Sequence, residues 1–112
     1  DNMAWMVLRE ESQFNQEILG DTTGRHVVFK HSPRCGISSF ALKSFERSDY
    51  FKSSNDSLWL LNVLESRDLS LQISKNMNIR HESPQILVFF EGKVIHYASH
   101  SDIDADLIQE LS

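Results

Sequence analysis

The stretch Val27-Val28-Phe29-Lys30-His31-Ser32-Pro33-Arg34-Cys35-Gly36-Ile37-Ser38 decides how the rest of the chain is read. It opens as an apolar strand and leads into the helix-like spacing of Ile37, Phe40, Ala41, Ser44 and Phe45. Between the two stands Cys35, the only cysteine among 112 residues. A strand that delivers a thiol to the first turn of a helix is a chemical device. That turn leaves backbone N–H groups unpaired and carries partial positive charge. A thiolate placed there is stabilised and is the reactive form of the residue. Lys30, His31 and Arg34 flank it with positive charge, and no acidic residue lies between Arg25 and Glu46. A lone cysteine is more usually a small, partly buried hydrophobe. Here the polar and basic neighbours, with Pro33 and Gly36, argue for an exposed corner between strand and helix.

Composition bounds the rest. At 40% hydrophobic and 24% charged residues, the chain has the make-up of an ordinary globular protein. Its length suits one core, so residues 1–112 are expected to form a single domain. No apolar run reaches the length of a membrane span. The first residues, Asp1-Asn2-Met3-Ala4, do not read as a signal peptide. One cysteine cannot form an internal disulfide, which fits a reducing compartment and an expected cytoplasmic location. The formal net charge of -5 argues against nucleic acid as the main partner.

Outward from the central stretch, the chain alternates strands and helices. Trp5 to Leu8 reads as a short edge strand. Glu10 to Leu19 reads as a helix with Phe14, Ile18 and Leu19 on one face, ended by Gly20. His26 to Lys30 is a buried strand, and Pro33 to Arg47 is the helix that begins at the cysteine. The polar run Ser48 to Ser57 reads as a loop. Leu58 to Val63 is a second apolar strand, and Ser66 is placed to cap a helix carrying Leu69, Ile73 and Met77. After the connector Asn78 to Glu82 and Ser83-Pro84, Ile86 to Phe90 is the most apolar strand. Glu91-Gly92 turns it back into Val94 to Ser99, antiparallel. Ser101 and Asp104 have capping-box spacing before a helix with Ile103, Leu107, Ile108 and Leu111 on one side.

Strands joined by helices imply parallel pairing with helices on both faces, and the final hairpin adds antiparallel strands. The expected fold is α/β and thioredoxin-like, with a mixed central sheet. In open sheets of this kind, sites form at the carboxyl ends of strands, where Cys35 lies.

Three segments carry a closer resemblance. They are Phe29-Lys30-His31-Ser32 with Cys35-Gly36-Ile37-Ser38, then His81-Glu82-Ser83-Pro84-Gln85, then Ala98-Ser99-His100. Together they resemble the YtxJ-like monothiol bacilliredoxins of the thioredoxin superfamily, over nearly the whole chain. The resemblance implies an oxidoreductase that removes bacillithiol, a low-molecular-weight thiol used by some bacteria, from mixed disulfides on client proteins. It implies Cys35 as nucleophile, Ser38 where a dithiol relative has its resolving cysteine, and Pro84 as a cis-proline facing the site. The implied partners are bacillithiol as co-substrate and S-thiolated proteins, and no resident cofactor or metal is expected.

The family commonly has proline after the cysteine, and here Gly36 stands there. Cys35-Gly36-Ile37-Ser38 is thereby similar to the Cys-Gly-Phe-Ser of monothiol glutaredoxins, which bind iron–sulfur clusters. An iron–sulfur or thiol-binding module therefore stays open as an alternative, as does a non-catalytic adaptor. The Gly-Gly pair with which those glutaredoxins hold glutathione is replaced by Ser99-His100-Ser101-Asp102.

Further roles follow from the chemistry. Ser38, one turn beyond Cys35, is placed to donate a hydrogen bond to the thiolate. Lys30, His31 and Arg34 suit the carboxylates of a malate-bearing thiol. His81 and Glu82 flank the proline and are candidates to shape the pocket. Proline at position 84 leaves Ser83 N–H and C=O to pair with a substrate backbone as an added strand. His26, His96 and His100 have no metal-ligand spacing.

Overall fold

The computed structural model describes residues 4–111. Its strands are β1 (Trp5–Val7), β2 (His26–His31), β3 (Ser57–Asn62), β4 (Gln85–Phe90) and β5 (Lys93–Ser99). They form one mixed sheet in the order β1-β3-β2-β4-β5. β1 and β2 run parallel to β3, while β4 runs antiparallel to both β2 and β5. β2 is the central strand, as a segment buried from His26 through Lys30 must be.

The helical elements are a π-helix (Gln13–Leu19), α1 (Gly36–Glu46), α2 (Asp49–Ser53), α3 (Arg67–Met77), a 3-10 turn (His100–Asp102) and α4 (Ala105–Glu110). They cover both faces of the sheet, and strand alternation sorts the side chains between them. Val28, Trp59, Leu61, Leu87 and Phe89 meet Phe14 and Ile18 of the π-helix and Leu69 and Ile73 of α3. Val27, Phe29, Leu58, Ile86 and Val88 meet Phe45, Tyr50, Phe51, Ala105 and Ile108 of α1, α2 and α4. Each large side chain removed from water contributes roughly 1.5–3 kcal/mol, so these two layers carry the fold.

The short edge strand β1 is held by its tryptophan. Trp5 Nε1 donates to Glu46 Oε2 at 2.7 Å, and the ring packs on Phe29, Phe45 and Phe51. On the opposite face, Trp59 Nε1 donates to His26 Nδ1 at 3.1 Å. That bond leaves the His26 proton on Nε2, 2.8 Å from Asp21 Oδ2.

Several expectations about element ends are corrected. The helix after the cysteine starts at Gly36 rather than Pro33, because residues 32–35 form a turn closed by Cys35 N–H to Ser32 O at 3.1 Å. Only Phe45 of its apolar set is fully buried. Ile37 and Phe40 are 66% and 74% exposed. The run expected as a loop from Ser48 contains α2, because Ser48 Oγ accepts from Phe51 N–H and Tyr50 and Phe51 enter the core. The residues read as the first helix carry π geometry over Gln13–Leu19. Gly20 ends it in right-handed conformation, and a Cβ there would lie 2.5 Å from Gln16 O, which is why glycine is needed. Ser66 occupies its cap position without a side-chain bond. Asp104, not Ser101, caps α4, through Oδ1 to Asp106 N–H at 2.9 Å. Leu107 faces solvent.

The six-residue α4 is too short to hold itself and depends on Ile108, which is fully buried. Ile108→Ala is expected to cost about 2–5 kcal/mol in urea unfolding. A cost under about 1 kcal/mol contradicts this placement of the core.

Candidate active site

Four chain ends meet at one end of the sheet. β2 and β4 pair antiparallel down to Lys30 opposite Gln85. The segment leaving β2 therefore starts beside the segment entering β4, which is Ser83-Pro84. β3 is tied in by Val63 N–H to His31 O at 2.9 Å, and the end of β5 by His100 N–H to Pro84 O at 2.9 Å. The Ser83–Pro84 peptide bond is cis.

Cys35 is the N-cap residue of α1, extended at φ -104° and ψ 120°, half-buried, with its thiol free. The sulfur thus stands at the positive end of the helix. It takes no capping hydrogen bond from the first turn. Gly36 follows at the first helical position, exposed, with open space where a Cβ would stand. Proline is well tolerated at that position, so glycine is not required there by the backbone.

Ser38 does something other than expected. It is fully buried, and its Oγ accepts Ser32 N–H at 2.9 Å and lies 2.7 Å from His31 Nδ1. No hydrogen bond joins it to Cys35 among the described residues. Ser38 locks the turn that carries the thiol instead of capping the sulfur directly.

The three flanking cations separate. Lys30 is fully buried and turns to the opposite side of the sheet from Phe29. Its Nζ donates to Ser70 O at 2.8 Å and Ser74 Oγ at 2.7 Å on α3. This corrects the expectation that Lys30 holds a ligand carboxylate at the surface. His31 is half-buried, and burial pushes its pKa below the usual imidazole range, against a smaller opposing pull from Glu46. It is therefore neutral at pH 7 and offers a carboxylate no charge. Arg34 remains exposed, with no ion pair or hydrogen bond among the described residues.

The loop before Pro84 is anchored from α3. His81 Nε2 lies 2.8 Å from Ser70 Oγ, so this nitrogen faces α3 and not a ligand. Burial, then the charges of Lys30 and Arg67, lower its pKa and keep it neutral. Glu82 makes no hydrogen bond or ion pair among the described residues. Nor do Ser83 N–H and C=O have a hydrogen-bond partner there, and Ser83 Oγ is buried without one. Gln85 Nε2 bonds Arg80 O and Ser99 Oγ across the base of the loop.

Two features were not anticipated from sequence. One is the His31–Ser38 contact. The other is a groove between α1 and the segment after β5, lined by Ile37, Phe40, Ser44, His100 and Ile103. Ile37 and Phe40 belong to the helix-like spacing after Cys35, and their exposure is what opens the groove. Among the described residues, no group of three or more His, Cys, Asp or Glu could hold a metal ion, and no helix is long and apolar enough to cross a membrane.

Comparison with known proteins bears on the family and the fold. The family described as monothiol bacilliredoxin BrxC matches residues 6–108. A solved structure described as a candidate oxidoreductase with a thioredoxin fold is 33% identical, with a TM-score of 0.81 over 95% of this chain and 92% of that one. Thioredoxin from Schistosoma mansoni matches at 11% identity and a TM-score of 0.70, covering 98% and 94% of the two chains. A mutant thioredoxin from Halobacterium salinarum matches at 12% identity and a TM-score of 0.68, covering 95% and 85%. The last two are alike in fold alone.

Lys30 yields a stability prediction. Burial lowers its pKa from 10.5 to about 8. Between those values the unfolded chain binds the proton and the folded chain does not, so stability rises with pH across that window. From about pH 8 to about pH 10 the protein is expected to gain roughly 1–2 kcal/mol relative to Lys30→Met, read by urea unfolding. Identical pH slopes for the two proteins contradict a buried, depressed lysine.

Proposed function

Since the chain belongs to the monothiol bacilliredoxin family, we propose that it is a thiol–disulfide oxidoreductase in which Cys35 takes bacillithiol from protein mixed disulfides. The observation that carries this reading is a single free thiol at a helix N-cap, at the same sheet end as the unpaired backbone of Ser83.

The chemistry follows from that placement. The Cys35 thiolate attacks the bacillithiol sulfur of the mixed disulfide in line. A Cys35–bacillithiol disulfide forms, the client disulfide breaks, and the electron pair leaves on the client sulfur, which takes a proton from water. Ser38 stands where a resolving cysteine would be, so the adduct has no internal exit. A second thiol from solution must attack it, which makes the reaction a two-stage transfer through Cys35.

The surroundings divide the recognition. Arg34 is the exposed cation that suits the malate carboxylates of the thiol. Ser83 N–H and C=O suit the backbone flanking the disulfide, as an added strand. Ile37 and Phe40 supply an apolar surface for the client side. The absence of a second cysteine suits a reducing cytoplasm.

The test is intact mass after incubation with a bacillithiol-modified protein, in parallel with its glutathione-modified form. Bacillithiol is expected on Cys35, with none in Cys35→Ser and with slower transfer of glutathione. Arg34→Ala is expected to slow the bacillithiol reaction by several-fold, in line with the loss of one partly exposed charge contact. Equal transfer of both thiols removes the bacillithiol assignment. Absence of any adduct on folded, reduced protein removes the carrier mechanism.

A further inference from the structure

Residues 79–84 belong to no helix or strand, so the bonds they make to other elements set their path. Ile79 N–H donates to Ser74 O at 3.0 Å, and Pro84 O accepts His100 N–H at 2.9 Å. Arg80 O accepts Gln85 Nε2 at 2.9 Å. His81 Nε2 meets Ser70 Oγ at 2.8 Å. Within this segment, His81 is the only side chain with a hydrogen bond among the described residues. That bond holds whichever way its proton runs, since a hydroxyl donates to a bare Nε2 or accepts from Nε2–H.

Ser70 is fully buried in α3, and both its hydroxyl and its carbonyl reach outside the helix. The carbonyl accepts Lys30 Nζ at 2.8 Å, and the hydroxyl holds His81. Lys30 belongs to β2, the strand that runs into the cysteine turn. His81 stands two residues before Ser83. Ser70 is therefore bonded on one side to the strand that carries the thiol. On the other side it is bonded to the loop that carries the unpaired Ser83 backbone.

We propose that Ser70 and His81 form one positioning unit, which holds the Ser83 backbone ready for the client chain and leaves the reactivity of the thiol alone. The inference rests on the reading of Ser83 as the client-pairing backbone, and it is independent of which thiol Cys35 carries. With His81 held by Ser70 and Pro84 held by His100, only Glu82 and Ser83 lie between two fixed points. Ser83 N–H and C=O then have little freedom to lose when a strand pairs with them. Without the Ser70 bond the span between fixed points reaches back to Arg80, and docking must order it. The cysteine turn is closed separately. Ser38 Oγ and Ser32 O accept the Ser32 and Cys35 N–H groups, and neither bond involves the loop. His81 is half-buried, so water can take the place of the Ser70 hydroxyl. What is lost with the bond is position. The unit thus governs the stage in which a protein chain docks. Release of the adduct by a small thiol needs no strand pairing at Ser83.

The test compares two disulfides of one coloured aromatic thiol, nitrothiobenzoate. The first joins it to the single cysteine of a short alanine-rich peptide, and the second is its symmetric disulfide. In both, the Cys35 thiolate attacks one sulfur, a new disulfide to Cys35 forms, and the electron pair leaves on the coloured thiolate. The peptide reaction is expected to saturate, and its half-saturating concentration reads docking. In Ser70→Ala that concentration is expected to rise about fivefold, the effect of one neutral hydrogen bond. The maximal rate and the rate with the symmetric disulfide are expected to stay as they were. Ser70→Ala removes only the hydroxyl, so the backbone bond to Lys30 remains. His81→Ala is expected to weaken docking as far, and the double variant no further, since all three remove the same bond. His81→Gln, which brings an amide nitrogen near the place of Nε2, is expected to restore docking. The His81 variants lie on a half-buried loop and carry the test should Ser70→Ala not fold. An unchanged half-saturating concentration in Ser70→Ala and His81→Ala overturns the proposal. So does a parallel fall in the rate with the symmetric disulfide, because the bond would then support the whole site. A peptide reaction that does not saturate in the unmodified protein, and runs no faster than the symmetric disulfide, overturns the docking role of Ser83 and the proposal with it.

Discussion

The antiparallel pairing of β2 with β4 is the constraint on which the rest depends. It ends at Lys30 opposite Gln85, and that one register places the cysteine turn beside the Ser83-Pro84 loop. A slip by one residue would turn every side chain of β2 to the other face. Phe29 would leave the layer of α1, and Lys30 would leave its partners on α3. Burial therefore enforces the register, and the register assembles the site.

Around that pairing, polar contacts do local work that apolar packing cannot. Ser38 closes the turn before α1 through Ser32 N–H and His31. Lys30 crosses into the opposite layer and fastens β2 to α3 through Ser70 and Ser74. Ser70 then reaches His81 on the loop before Pro84. The two halves of the site are thus held from opposite faces of the sheet. A buried ammonium with no carboxylate partner among the described residues is costly, and its depressed pKa reflects that cost.

Much of this was legible in the sequence. The order of strands and helices along the chain, the hairpin at Glu91-Gly92 and the helix after Cys35 follow from periodicity and turn chemistry. The segment with Cys35, with the His81 to Gln85 segment, carried the family resemblance. What stayed hidden was direction. β2 is buried on both faces, so its sequence shows no alternation to say which way Lys30 points. A signal was present in α3, where Ser70 and Ser74 stand four residues apart on the face that also buries Leu69 and Ile73. Two serines on an apolar face imply a polar visitor. Tyr50 and Phe51 were likewise masked by polar neighbours, although Ser48 three residues before Phe51 is an N-cap pattern. The His31–Ser38 contact had no pattern to reveal it, since it spans a turn whose path is set by the register of β2.

The proposed function puts Cys35 and the Ser83 backbone on one substrate at one sheet end. It is tested most directly by linking a short cysteine peptide to Cys35 as a mixed disulfide and following the Ser83 amide by NMR hydrogen exchange. Protection of that amide on linkage, with release on reduction, is the expected result. A Ser83 amide that exchanges equally fast in the linked and free protein would contradict it, because the peptide would then be held by the disulfide alone.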